Sequence, residues 1–148
     1  MHENMKLVFK QGMEMEHYVA NASVVDCFDH RTFASLVGYD KDHGIIDPLI
    51  HAGGAKNLAS PAKDFYREYV LDQLELSVTL HKPQKIVLMN HYNCGAYGGS
   101  EPFDNDRKKE EEFHKEELRK AEAVVRQKFP DIPVEKMYLD DDGLWLIE

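Results

Sequence analysis

Apolar positions along the chain gather into short continuous runs, and the clearest is Lys85-Ile86-Val87-Leu88-Met89-Asn90. Four apolar side chains in succession fill both faces of a strand, the pattern of a sheet covered by helices on either side, and the run ends at His91. Val19 to Cys27 holds Val24-Val25 and predicts a second short buried strand, which ends at a cysteine. Ile45 to Ile50 is a third run, weakened as a strand by Pro48, which brings no amide hydrogen to a ladder; it leads into the turn Ala52-Gly53-Gly54. Val134 to Leu139 and Leu144 to Ile147 read as closing strands on either side of the acidic turn Asp140-Asp141-Asp142-Gly143.

Between these runs the apolar period becomes helical. Phe65, Tyr69, Leu71, Leu74, Leu76 and Leu80 predict a helix reaching about His81, opened by Ser60-Pro61, a serine cap followed by proline in the first turn. Phe113, Leu118, Ala121, Val125 and Phe129 mark one face of a long amphipathic helix within 104–129, stopped by Pro130 and Pro133. Thr32 to Val37 reads as a turn or short helix, and Gly95 to Gly99 as a turn. Residues 1–18 show no clear period and read as an N-terminal arm or short helix able to fold onto a neighbouring subunit. Strand, connection, strand, long helix, strand is the rhythm of an α/β protein: a single domain over 1–148 with a mainly parallel central sheet of four or five strands flanked by helices. Parallel crossovers put Cys27 and His91 at the carboxyl ends of two strands, the edge where ligands gather in open α/β sheets.

Composition narrows the functional classes. The 148 residues are 43% hydrophobic and 30% charged, which is the balance of a folded globular chain. A net charge of −9, from 27 acidic against 18 basic residues, gives no footprint for nucleic acid or for an anionic membrane surface. The acidic runs Glu110-Glu111-Glu112, Glu116-Glu117 and Asp140-Asp141-Asp142 read as solvated faces. No apolar run approaches the roughly 20 residues of a membrane span, and the N-terminus lacks the order of a signal peptide, so a cytoplasmic, reducing setting is expected.

Chemistry concentrates around the two cysteines. Cys27-x-Asp29-x-Arg31 and His91-x-x-Cys94-Gly95 bring two thiolates and one imidazole, a donor set that suits Zn²⁺ and leaves its fourth tetrahedral position for water or substrate. The competing reading is a pair of buried thiols, or a disulfide in an oxidising compartment. Asp29 can orient a water beside the metal, or take the fourth position itself and close the site. Arg31, two residues on, can hold the carboxylate in a bidentate pair and keep it off the metal.

These motifs, in this order, with the Ala-Gly-Gly turn and a long helix between them, resemble the β-class carbonic anhydrases over most of the chain. The resemblance implies a Rossmann-like sheet, a homodimer or higher homo-oligomer, and zinc-dependent reversible hydration of CO₂ to bicarbonate by a zinc-bound hydroxide. By position it makes Cys27, His91 and Cys94 the zinc ligands and Asp29 and Arg31 the catalytic dyad. His30 and His51 are candidate proton shuttles, since histidine titrates nearest neutrality; they stand where the family commonly has serine and asparagine. Gly53, Gly54 and Gly95 would let backbone amides line the cavity. Two other functions share the motifs: a hydrolase of CS₂ or COS on the same scaffold, and a non-enzymatic zinc-binding protein.

Overall fold

A computed structural model describes residues 3–148. It contains β1 (Ala22–Asp26), α1 (His30–His43), β2 (Ile46–Ile50), α2 (Lys56–Ala59), α3 (Asp64–His81), β3 (Lys85–His91), α4 (Arg107–Lys128), β4 (Val134–Leu139) and β5 (Leu144–Ile147), with two short 3₁₀ turns between β3 and α4. The strands form one five-stranded sheet in the order β2-β1-β3-β4-β5. The first four are parallel, and β5 returns antiparallel to β4.

The continuous apolar run of β3 is explained by its surroundings. Ile86 and Leu88 pack with Val25 against Leu58 of α2, Leu74 of α3 and Leu118, Ala121 and Val125 of α4. Val87 and Met89 face the other way and meet Val24 together with Leu36 and Tyr39 of α1. Burying a side chain such as Leu74, Leu88 or Leu118 completely contributes roughly 1.5–3 kcal/mol each over leaving it in water.

Three local expectations are corrected. The segment read as a turn or short helix at 32–37 is a 14-residue helix, α1, whose buried stripe is only Thr32, Leu36 and Tyr39; one of those three positions is polar, so the period is faint. Ser60-Pro61 does not open α3, which starts at Asp64 after Lys63. Ser60 instead ends α2, and its hydroxyl donates to Glu117 at 2.9 Å. The acidic runs of α4 are not wholly solvated: Glu110 is 0% and Glu117 1% exposed. Pro48 is accommodated because β2 is an edge strand paired only to β1, where a missing amide hydrogen faces outward.

After a turn at its start, the arm runs to Val19 without helix or strand, and it is tied down at its end. The Tyr18 hydroxyl donates to Asp47 Oδ1 at 2.6 Å, and the Ala20 amide donates to the His81 carbonyl at 2.9 Å. Asp47 also accepts from the Ser77 hydroxyl and, at 2.7 Å, pairs with His81 Nδ1. No helix of the described residues is long and apolar enough to cross a membrane.

Candidate metal centre

The central position of β1 and β3 makes the site. They are neighbours in parallel register, with Val25 opposite Leu88, so Cys27 just past the end of β1 and His91 at the end of β3 leave the sheet side by side. Beyond His91 the Tyr92 amide donates to the Leu139 carbonyl, and Asn93 adopts a left-handed φ of 52° that reverses the chain toward Cys94. Cys27 Sγ, Cys94 Sγ and a His91 ring nitrogen all lie within 4.8 Å of one another, and all three residues are buried. Both cysteines are free thiols.

The His91 ring shows how this cluster is oriented. Nδ1 contacts the Tyr92 carbonyl at 2.9 Å, which fixes the proton on Nδ1 and leaves the lone pair on Nε2. Buried Nε2 has no hydrogen-bond partner among the described residues. An orphaned imidazole lone pair facing two thiols is a donor set that fits Zn²⁺.

Electrostatics favour an ionised Cys27 over an ionised Cys94. A hydrogen bond from Cys94 lowers the Cys27 thiol against the opposing effect of burial, with further help from His91 and from the Gly53 amide, which lies 3.4 Å from Cys27 Sγ. Sharing that proton raises Cys94. Burial disfavours a charged His91, but Cys27 and the Tyr92 carbonyl outweigh it, and its pKa is raised. Burial pushes Asp26 up to about 6.

Asp29 caps α1, accepting the Arg31 amide at 2.9 Å. It also receives Arg31 Nε at 2.9 Å on Oδ1 and Nη2 at 2.8 Å on Oδ2. The guanidinium holds the Asp29 carboxyl well below the usual carboxylate range, outweighing partial burial. Arg31 Nη2 also donates to the Asn93 carbonyl at 3.0 Å, joining the first motif to the second. A cavity of about 360 Å³ opens beside His91, with Arg31, Tyr92 and Asp140–Gly143 on its walls.

The remaining expected residues divide. His30 is exposed at the start of α1. His51 is half-buried, with Nδ1 held by Asn57 at 3.1 Å and Nε2 lacking a partner among the described residues; burial lowers its pKa. Gly54 has φ +56°, and a Cβ there would lie 2.3 Å from the Met89 carbonyl oxygen, so backbone approaches backbone directly beneath the cluster. Gly95 is exposed and a Cβ there would meet nothing within 4 Å, so no close approach requires glycine at that position.

Sequence reasoning missed the polar layer beneath the loop. Asn90 accepts the Ala55 amide on Oδ1 and places Nδ2 3.3 Å from His114 Nδ1. The Tyr97 hydroxyl reaches Glu117 at 3.1 Å, and Glu110 binds Asn93 and Ser100. Glu110, His114 and Glu117 follow helical spacing on the stripe that carries Leu118, Ala121 and Val125. That spacing was the available signal, masked by the residues' polarity.

A mainly parallel α/β sheet flanked by helices, with a Cys-His-Cys cluster at its carboxyl edge, is the fold class the resemblance to the β-class carbonic anhydrases implies. Residues 17–147 match the family described as "Putative carbonic anhydrase", and the chain belongs to that family as a divergent member of the β class. It is 26% identical to an uncharacterised protein of Rickettsia bellii, over 94% of this chain and 90% of that protein. Among solved structures, a carbonic anhydrase from Streptococcus mutans superposes with a TM-score of 0.60 at 19% identity, covering 93% of this chain and 88% of the other. A β-carbonic anhydrase from Trichomonas vaginalis gives 0.57 at 16%, covering 93% and 87%.

Proposed function

We propose that the protein catalyses the reversible hydration of CO₂ to bicarbonate, with Cys27, His91 and Cys94 as its zinc ligands. The observation that carries this reading is the buried His91 Nε2, orphaned and within reach of two sulfurs beside an Asp29 already engaged by Arg31. A zinc ion held by these three residues would supply the Lewis acidity that makes water acidic enough to act as a nucleophile near neutral pH.

The chain's own residues do the rest. Asp29, ionised and held by Arg31, accepts a hydrogen bond from the attacking water and orients its lone pair. Arg31 keeps Asp29 out of the ligand position, so the aspartate closes the site only when that pair breaks. The Gly53 amide supports the Cys27 sulfur, and Gly54 lets the chain pass close enough to the end of β3 to deliver it. His30, being exposed, is the better placed of the two histidines to pass a proton to solvent, while the Asn57 contact suits His51 to a fixed role.

A second copy of the chain fits the surface left open. Val8 is 93% and Phe9 80% exposed in an arm that carries several more apolar side chains, and Phe28 and Phe33 stand exposed around the start of α1. Burying such surface against a homodimer partner removes it from water. Two free thiols as ligands suit a reducing, cytoplasmic compartment.

The test is metal analysis of protein purified without added metal, followed by stopped-flow hydration of CO₂ with COS and CS₂ run in parallel. One zinc per chain with CO₂ turnover is expected. Zinc without turnover on CO₂ overturns the proposed activity, and absence of zinc overturns the site.

A further inference from the structure

The loop between His91 and Cys94 is held from below by a carboxyl group that solvent does not reach. Glu110 on α4 is 0% exposed. Its Oε1 accepts the Asn93 amide at 2.5 Å, and its Oε2 accepts the Ser100 hydroxyl at 2.5 Å. Asn93 Oδ1 accepts the Ser100 amide at 3.1 Å, so loop and carboxyl close into one ring of bonds. On its outer side the Asn93 carbonyl accepts Arg31 Nη2, whose other contact is Asp29 Oδ2. Asn93 is therefore the junction between a buried acid on α4 and the Asp29–Arg31 pair at the site.

Burying a carboxyl group is expensive, and an apolar residue here would extend the stripe of Leu118, Ala121 and Val125 at less cost. What an apolar residue lacks is direction. Asn93 stands in the left-handed region, and Glu110 fixes its peptide directly by accepting its amide and indirectly through Ser100, whose hydroxyl it accepts and whose amide donates to Asn93 Oδ1. The peptide's position then decides where its carbonyl meets the guanidinium.

We propose that Glu110 is a positioning residue: by fixing Asn93 it presents the carbonyl that seats Arg31 on Asp29, and it thereby keeps Asp29 away from the metal position. This rests on the carbonic anhydrase reading for its consequence in turnover, but the geometry it predicts is independent of metal.

Two substitutions test it. In Glu110→Gln the amide oxygen accepts the Asn93 amide, and its NH₂ donates to a Ser100 hydroxyl that turns to accept, so the ring is kept. In Glu110→Leu the helix stripe stays filled and the ring is lost. The readout that a merely structural role would not move is solvent exchange of the Arg31 Nε–H, followed by ¹⁵N NMR on metal-free protein. Glu110→Leu is expected to speed this exchange about tenfold or more, while Glu110→Gln stays close to the parent. On the zinc-loaded protein kcat should fall about tenfold in Glu110→Leu with KM little changed.

Ser100→Ala, which removes one bond of the ring without unpairing a helix, covers the case in which Glu110→Leu does not fold, and should move the exchange in the same direction by less. Unchanged Arg31 exchange in the folded Glu110→Leu protein, or in Ser100→Ala where that protein does not fold, overturns the proposal. A parent protein with no CO₂ turnover overturns the proposed function instead, and the Arg31 readout still decides the role of Glu110.

Discussion

Arg31 grips Asp29 through both carboxylate oxygens, with Nε 2.9 Å from Oδ1 and Nη2 2.8 Å from Oδ2, and the same Nη2 reaches the Asn93 carbonyl on the opposite motif. Neither residue is free to move without the other, so the fork acts as a restraint on a carboxylate that would otherwise be a competent metal ligand.

Arg31→Ala therefore leaves zinc content unchanged and lowers CO₂ hydration by about a hundredfold, because a misplaced group beside the reaction centre is costly even when every ligand remains. Metal analysis alongside stopped-flow rates checks it. Turnover equal to the parent would show that Asp29 needs no restraint.

Gly54→Ala loses about 2 kcal/mol or more of stability, from the left-handed backbone and from a Cβ set against the Met89 carbonyl. Urea denaturation measures the loss. Gly95→Ala, at a position where a Cβ meets open space, serves as the control and is expected to change little.

Asp47 anchors the end of the arm. Burial raises its carboxyl, but hydrogen bonds from Ser77, Tyr18 and His81 more than offset this and hold it below its usual range. A group depressed in the fold stabilises fully above its unfolded pKa, and that contribution is lost as pH falls through the lowered folded value. Asp47→Asn removes the dependence, costs about 1–3 kcal/mol, and loosens the tie at Tyr18, so that limited proteolysis at neutral pH cleaves faster close to Ala20.

His114 is buried and its pKa is pushed down to about 4, first by burial and then by charge on His91. Its neighbours are Asn90, the Tyr97 and Tyr138 rings, Glu117 and Glu110, whose Oε1 is 3.7 Å from Nε2. The unfolded chain takes up a proton near 6.5, the ordinary value for an exposed imidazole, while the fold resists until about 4. This one group removes about 3 kcal/mol of stability as pH falls through that window. In His114→Leu that part of the decline disappears from denaturation curves recorded across it; an equally steep decline would assign the effect elsewhere.

The strands were legible because burial on both faces writes them as plain apolar runs; β3 shows this best, with Ile86 and Leu88 serving one core and Val87 and Met89 the other. The convergence of Cys27, His91 and Cys94 was legible because metal chemistry restricts residue type as well as spacing, and the structure brings the three together. Helix α1 was largely missed because a single layer on one face of the sheet needs few apolar contacts, and Thr32 takes one of them. Glu110, His114 and Glu117 were hidden for the opposite reason: composition assigns carboxylates to water, and only the three-dimensional neighbours reveal that Asn93, Ser100, Ser60 and Tyr97 receive them.

Strand order carries one more consequence. Cys27 and His91 come from adjacent strands, yet α1, β2, α2 and α3 all lie between them along the chain. During synthesis the first sulfur emerges long before the nitrogen and second sulfur that complete the trio, and the trio converges only once β3 has docked beside β1. On the proposed reading, any metal taken up by this trio would therefore be bound late, and a chelator present during refolding tests whether the sheet forms without it.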